Sequence, residues 1–113
     1  MDYDKAHSLA ADIRASREYK SFVSAREAVS QDPNTLGLLK EYRRLELRCQ
    51  AAIVSGEEDL ESMEKLQRLM GLLQMNKDAS EYLMAEFALS RMLGDIYRIL
   101  ADAAELDISM LDN

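Results

Sequence analysis

The 113-residue chain carries 21 acidic against 14 basic residues, a formal charge of −7, and this field repels nucleic-acid phosphates and anionic lipid headgroups, arguing against direct binding of either. About half of it is hydrophobic, with one Pro, four Gly and no Trp, which gives one small domain with a modest core and few breaks, rich in helix formers: an all-α protein. No apolar run approaches the roughly 20 residues that cross a bilayer, no signal-peptide pattern opens the chain, and a lone cysteine builds no disulfide framework, so a reducing cytosol is the expected setting.

The first helix is expected over residues 2–15. Asp2 is placed to cap it, and Tyr3, Ala6, Leu9, Ala10 and Ile13 form its apolar stripe. Ser16 suits a cap for a second helix over 17–30, whose Tyr19, Phe22, Val23 and Val29 fall near one face. Nothing enforces the boundary between the two, and one bent helix fits nearly as well.

Asp32-Pro33 is the strongest local signal, because the carboxylate accepts from free backbone N–H groups and proline at the first helical position loses no hydrogen bond. A helix over 33–54 follows, stopped by Gly56, and a second runs over 59–75. Leu38, Tyr42, Leu45, Cys49 and Ala52 on the first and Met63, Leu66, Met70 and Leu73 on the second recur at three- and four-residue steps. Two such seams across a short glycine turn make a long helical hairpin. Towards its base the apolar set widens to include Leu69, Leu72 and Met75. Glu57, Glu58, Asp59 and Glu61 gather at the start of the second arm, where the helix dipole favours them. The same acids also make the tip a candidate partner-facing patch. The basic residues Arg43, Arg44 and Arg48 alternate with Glu41 and Glu46, as on a solvated helix face.

Asn76 suits the end of the second arm, and Asp78 with Glu81 resembles a capping box for a last long helix over 79–104. This helix carries two seams: Tyr82, Ala85, Leu89, Met92, Ile96, Ile99 and Ala103, and Leu83, Phe87, Ser90, Leu93, Tyr97, Leu100 and Ala104. At 1.5 Å per residue it is roughly 40 Å long, more than one small chain covers on two sides. A homodimer or higher homo-oligomer is therefore expected, with Tyr82, Leu89, Met92, Ile96 and Ile99 in the interface. In the tail, 105–113, Leu106, Ile108 and Met110 are apolar without helical spacing and form a second candidate partner-facing segment.

No chemistry-bearing constellation stands out. His7 lies at the edge of the first stripe and reads as a half-buried structural histidine. Cys49 sits on a hairpin seam as a small hydrophobe, and Met63, Met70 and Met92 read as core filler. Paired zinc, di-iron and phosphate-loop patterns are missing from the sequence, so no cofactor, metal or catalytic residue is assigned and an enzyme is not expected. A carboxylate pair assembled only in three dimensions would leave no trace in the sequence.

Ala6, Leu9, Ile13, Ser16, Glu18 and Tyr19, then Asp32-Pro33 with Leu36, Tyr42 and Leu45, then Asn76, Tyr82, Ala85, Glu86, Met92 and Ile96, resemble in order and spacing the small helical family that includes YheA, YlbF and YmcA. The resemblance covers about residues 3 to 100. It implies an all-helical, oligomeric cytosolic protein of Gram-positive-type bacteria with a regulatory role. YlbF and YmcA act with a third protein in an accessory complex that influences an endoribonuclease and messenger RNA processing, so a second protein of the family or a ribonuclease is an implied partner. Those members carry cysteines that contribute to iron–sulfur clusters. Here 104–113 has none, and Cys49 alone does not supply the thiolates a cluster needs. The departure moves the chain toward the cysteine-poor YheA-like branch.

Overall fold

The computed structural model describes residues 1–106. Five helices follow one another: α1 (Asp4–Ala15), α2 (Arg17–Ser30), α3 (Pro33–Val54), α4 (Leu60–Met75) and α5 (Lys77–Ala103). No strand occurs among the described residues. The fold is all-α, as composition implied, with a long hairpin, a long C-terminal helix and two short N-terminal helices. The chain divides into two packing units, Met1–Phe22 with Ala85–Asn113, and Val23–Met84.

The unit Val23–Met84 is built from its helix ends. Asp32 Oδ1 accepts from the backbone N–H of Asn34 at 3.1 Å and of Thr35 at 3.4 Å, while Oδ2 accepts from the Thr35 hydroxyl at 2.8 Å. Three donors at the start of α3 are thereby satisfied, and Pro33 has none to lose. At the other end Gly56 takes a φ of 74°. Its N–H donates to Ile53 O (3.1 Å), and that of Glu57 to Ala52 O (2.8 Å), the paired closure that a left-handed residue permits. Asp59 then repeats the device of Asp32, accepting from the backbone N–H of Ser62 (3.0 Å) and from its hydroxyl (2.8 Å).

These hydrogen bonds hold both cap carboxyls below their usual value of 3.8, led by the Thr35 hydroxyl at Asp32 and by the Ser62 backbone N–H at Asp59. A carboxyl depressed on folding stabilises the folded chain fully above its unfolded value, and that contribution is lost as pH falls through the lower folded value. The thermal midpoint should therefore fall on acidification below about pH 4. The double variant Asp32→Asn, Asp59→Asn should start lower at pH 7 and fall less steeply. Parallel slopes in thermal melts of the two proteins would overturn this.

α3 and α4 pack against each other along the hairpin. Val29, Leu39, Leu45, Leu69, Leu73 and Ala79 are its buried apolar residues, with Leu36, Leu38, Tyr42, Leu66, Tyr82 and Leu83 packed around them. On α4 the inward row is Ser62, Leu66, Leu69 and Leu73; Met63 and Met70, expected inside, are exposed, as are Leu72 and Met75. Leu66 and Leu73 keep their expected places, and Ser62 and Leu69 take those of Met63 and Met70, about half a residue of rotation. A search for apolar spacing passes over Ser62, but its hydroxyl is satisfied by Asp59 and is buried at little cost. Thr35 on α3 is buried for the same reason.

Asn76 joins the arms to the last helix. Its backbone N–H closes α4 on Leu73 O, its Oδ1 accepts from Ala79 N–H at 3.0 Å, and its Nδ2 donates to Thr35 Oγ1 at 2.8 Å. α5 consequently starts at Lys77. Asn76, rather than Asp78, is the residue whose side chain caps it, and Glu81 lies 4.0 Å from Lys77. The result is one continuous polar relay, Asp32–Thr35–Asn76–Ala79, spanning the start of α3 and the start of α5.

In the unit Met1–Phe22 with Ala85–Asn113, Ser16 separates the first two helices. Its backbone is extended (ψ 155°), its hydroxyl donates to Ile13 O at 2.6 Å, and the same oxygen accepts from Tyr19 N–H at 3.2 Å. One serine thus ends α1 and caps α2, so two helices form, not one bent one. Asp2 lies outside α1, with Tyr3 at the cap position and no side-chain cap; the Asp2 carboxylate accepts from Asp4 N–H instead. Every buried residue belongs to the other unit: none of the described residues of this one is buried.

Candidate interaction surface

Helix periodicity gave α5 two seams, and the structure treats them differently. Leu89, Met92 and Ile96 are half-buried, as is Tyr82, which packs on the core of the hairpin unit. Ile99, on the same seam, is 67% exposed. On the second seam Phe87 (68% exposed), Leu93, Tyr97 (59%) and Leu100 all face solvent. These four large side chains form an exposed apolar strip on α5 of the kind that marks an interaction surface. Sequence spacing revealed both seams. It gave no signal for which one the chain itself covers.

A second apolar surface lies at the hairpin tip. Beside the turn Gly56–Asp59 lies an open groove of about 430 Å³, walled by Cys49, Ala52 and Ile53 of α3 and by Leu60, Met63 and Leu66 of α4. Glu57, Glu58 and Asp59 stand at its end. Asp59 is engaged in capping, as described. Of the other expected partner-facing residues, Leu106 is exposed, and Ile108 and Met110 lie outside the described residues.

The groups that would carry catalysis are not assembled. His7 is exposed on α1, not half-buried, because the apolar stripe beside it covers only Leu9, Ala10 and Ile13 partially. Cys49 is a half-buried free thiol. Among the described residues no three His, Cys, Asp or Glu side chains converge as metal ligands. A smaller groove of about 250 Å³, lined by residues such as Tyr42, Leu73, Gln74, Ser80 and Met84, has no charged lining. Burial, and then the Glu46 carboxylate, raise the Tyr42 phenol above its usual value, so it remains a neutral hydroxyl. Arg43 pairs with Glu46 at 3.0 Å and Arg44 with Glu41, which ties the basic cluster of α3 into its own helix surface. No helix of the described residues is long and apolar enough to cross a membrane.

Comparison with known proteins places these features among relatives. Residues 3–105 match the family model described as control of competence regulator ComK, YlbF/YmcA. The UPF0342 protein STH1710 of Symbiobacterium thermophilum is 37% identical over 107 residues, covering 94% of this chain and 96% of its own length. A UPF0342 protein of Caldicellulosiruptor bescii is 32% identical over 104 residues, covering 91% and 87%. Among solved structures, a protein of unknown function (DUF964) from Bacillus stearothermophilus superposes with a TM-score of 0.76 at 24% identity, over 91% of both chains. That likeness establishes the shared helical fold.

Proposed function

The chain belongs to the YlbF/YmcA family, whose description is regulatory, and from that premise we propose that it is a homo-oligomeric helical interaction protein of the bacterial cytosol. It acts as an adaptor or regulatory subunit, without catalysis, through its surfaces. The observation that supports this most is the open seam Phe87, Leu93, Tyr97 and Leu100 on a unit with no buried residue of its own. A helix face that apolar, on a unit without a core, gains stability by burial against a second copy. The sequence had pointed to Tyr82, Leu89, Met92, Ile96 and Ile99 for this contact. The exposed seam adds Phe87, Leu93, Tyr97 and Leu100 to it.

The test is the mass of the protein in solution. The wild-type chain is expected to run as a dimer or larger by light scattering at micromolar concentration, and the double variant Leu93→Glu, Tyr97→Glu to shift to monomer with at least a tenfold weaker association. A monomeric wild-type protein, or an unaltered mass for the variant, would overturn the reading. The resemblance to YlbF and YmcA implies a second reading, an accessory subunit that acts with another member of the family or with an endoribonuclease in messenger RNA processing. That reading expects a second polypeptide to co-purify in stoichiometric amount from native lysate.

A further inference from the structure

The groove at the hairpin tip sits in the unit Val23–Met84, away from the α5 seam in sequence, and nothing in the fold uses it. Its apolar walls are open: Ile53 is 75% exposed, and Leu60 and Met63 are exposed as well. A chain this short gains little from leaving three large apolar side chains in water at a tip. The acids beside them differ from three others on the hairpin. Glu41, Glu46 and Glu61 each hold a cation of their own helix, Arg44, Arg43 and Lys65 respectively. Among the described residues Glu57 and Glu58 hold none. Arg48 and Lys65 act on Asp59, Lys65 is paired with Glu61, and Arg48 lines a second, more open groove beside the turn together with Ala51, Ser55, Glu57 and Glu58, whereas the lining of the tip groove itself holds three acids and no cation.

We propose that this groove is the docking site for an amphipathic helix of another protein, with two or three apolar anchors on one face and Lys or Arg at the end that meets Glu57 and Glu58. Two adjacent helix ends that both line one apolar groove offer the seat of a third helix, packed on both at the usual 8–10 Å. Met63 and Cys49 give that seat adaptable, polarisable walls. Charge argues against a second copy as occupant. The α5 stretch that carries the exposed seam holds Glu86, Asp95 and Asp102 against Arg91 and Arg98, and the C-terminal stretch adds Asp107 and Asp112, so the chain's own apolar segments bring net negative charge to an acidic rim. A basic partner meets the opposite sign, and its encounter rate rises accordingly. The inference deepens the reading of a surface-driven regulatory protein by naming the partner chemistry of one surface.

The probe is a fluorescent 14-residue helix of leucine and lysine only, with its leucine/glutamate counterpart as control, titrated into the full-length protein and mapped by backbone amide NMR. Saturable binding of the lysine helix, with shifts confined to about residues 49–67, is expected, and no binding of the glutamate helix. Ile53→Lys should weaken binding at least tenfold. Glu57→Gln with Glu58→Gln should weaken it about threefold and flatten its salt dependence. The variant Leu93→Glu, Tyr97→Glu should bind as wild type, which separates failure of this proposal from failure of the oligomer reading. Shifts that map to α5, equal binding of both helices, or an Ile53→Lys variant that binds normally would each overturn the proposal. So would a fall in the mass of the unliganded protein on introducing Ile53→Lys, since the groove would then be a contact between copies.

Discussion

Replacing Thr35 with valine is expected to destabilise the protein by about 2–3 kcal/mol, although the side chain keeps its shape and Thr35 is 1% exposed. The hydroxyl has two tasks. It donates to Asp32 Oδ2 and accepts from Asn76 Nδ2. Valine removes both bonds and leaves the amide of Asn76 facing a methyl group in a half-buried position, the costly kind of loss because water does not replace it in full. The cap on α3 keeps its two backbone bonds, so helix content should hold while the thermal midpoint drops by roughly 10 °C or more. Thr35→Ser restores the hydroxyl and is expected to recover most of the loss. Melts of the three proteins at one fixed concentration decide the matter, and a Thr35→Val variant within about 0.5 kcal/mol of wild type would show that the relay contributes nothing.

The largest single loss is expected from Leu73→Ala, about 3–5 kcal/mol. Leu73 is 1% exposed and sits near the base of the hairpin among Leu39, Leu69 and the ring of Tyr42. Removing its side chain loses the transfer free energy of the deleted carbons and leaves a cavity that the helices close only in part. In a unit with six buried apolar residues, that is a large share of total stability. Leu72→Ala is the control, since Leu72 lies next in sequence and is 56% exposed; it should move stability by about 0.5 kcal/mol or less. Urea unfolding of both variants measures the difference, and equal losses would mean that the inward row of α4 has been misplaced.

The fate of these two positions also marks how far the chain was legible. The helices could be read because their ends are chemically explicit: Asp32-Pro33, Gly56 and the acids before Leu60 each provide a local reason to start or stop. Thr35 and Ser62 were missed inside the core because a polar side chain is counted as outward unless its partner is known, and Asn76 was credited with one helix end when it serves two. The rotation of α4 that exposes Met63 and Met70 follows from that omission. On α5 both seams were visible. Choosing between them depends on what covers each, a property of the assembled chain and not of spacing. The tip acids were noted in the sequence, but the groove behind Glu57 and Glu58 arises only when Ile53 and Leu60 are brought to the same side.

Helical arms with repeating seams have a weakness that apolar packing does not cure. A seam that recurs every seven residues matches itself again when one arm slides along the other by one repeat, and leucine against leucine scores nearly as well in the wrong alignment as in the right one. The Asn76–Thr35 bond breaks this degeneracy, because it joins one residue at the foot of α4 to one residue at the foot of α3, 41 positions apart. In any slipped register the Thr35 hydroxyl keeps its local bond to Asp32, but the Asn76 amide loses its acceptor. The relay thus acts as an index mark, selecting one of several alignments that the apolar residues alone would accept.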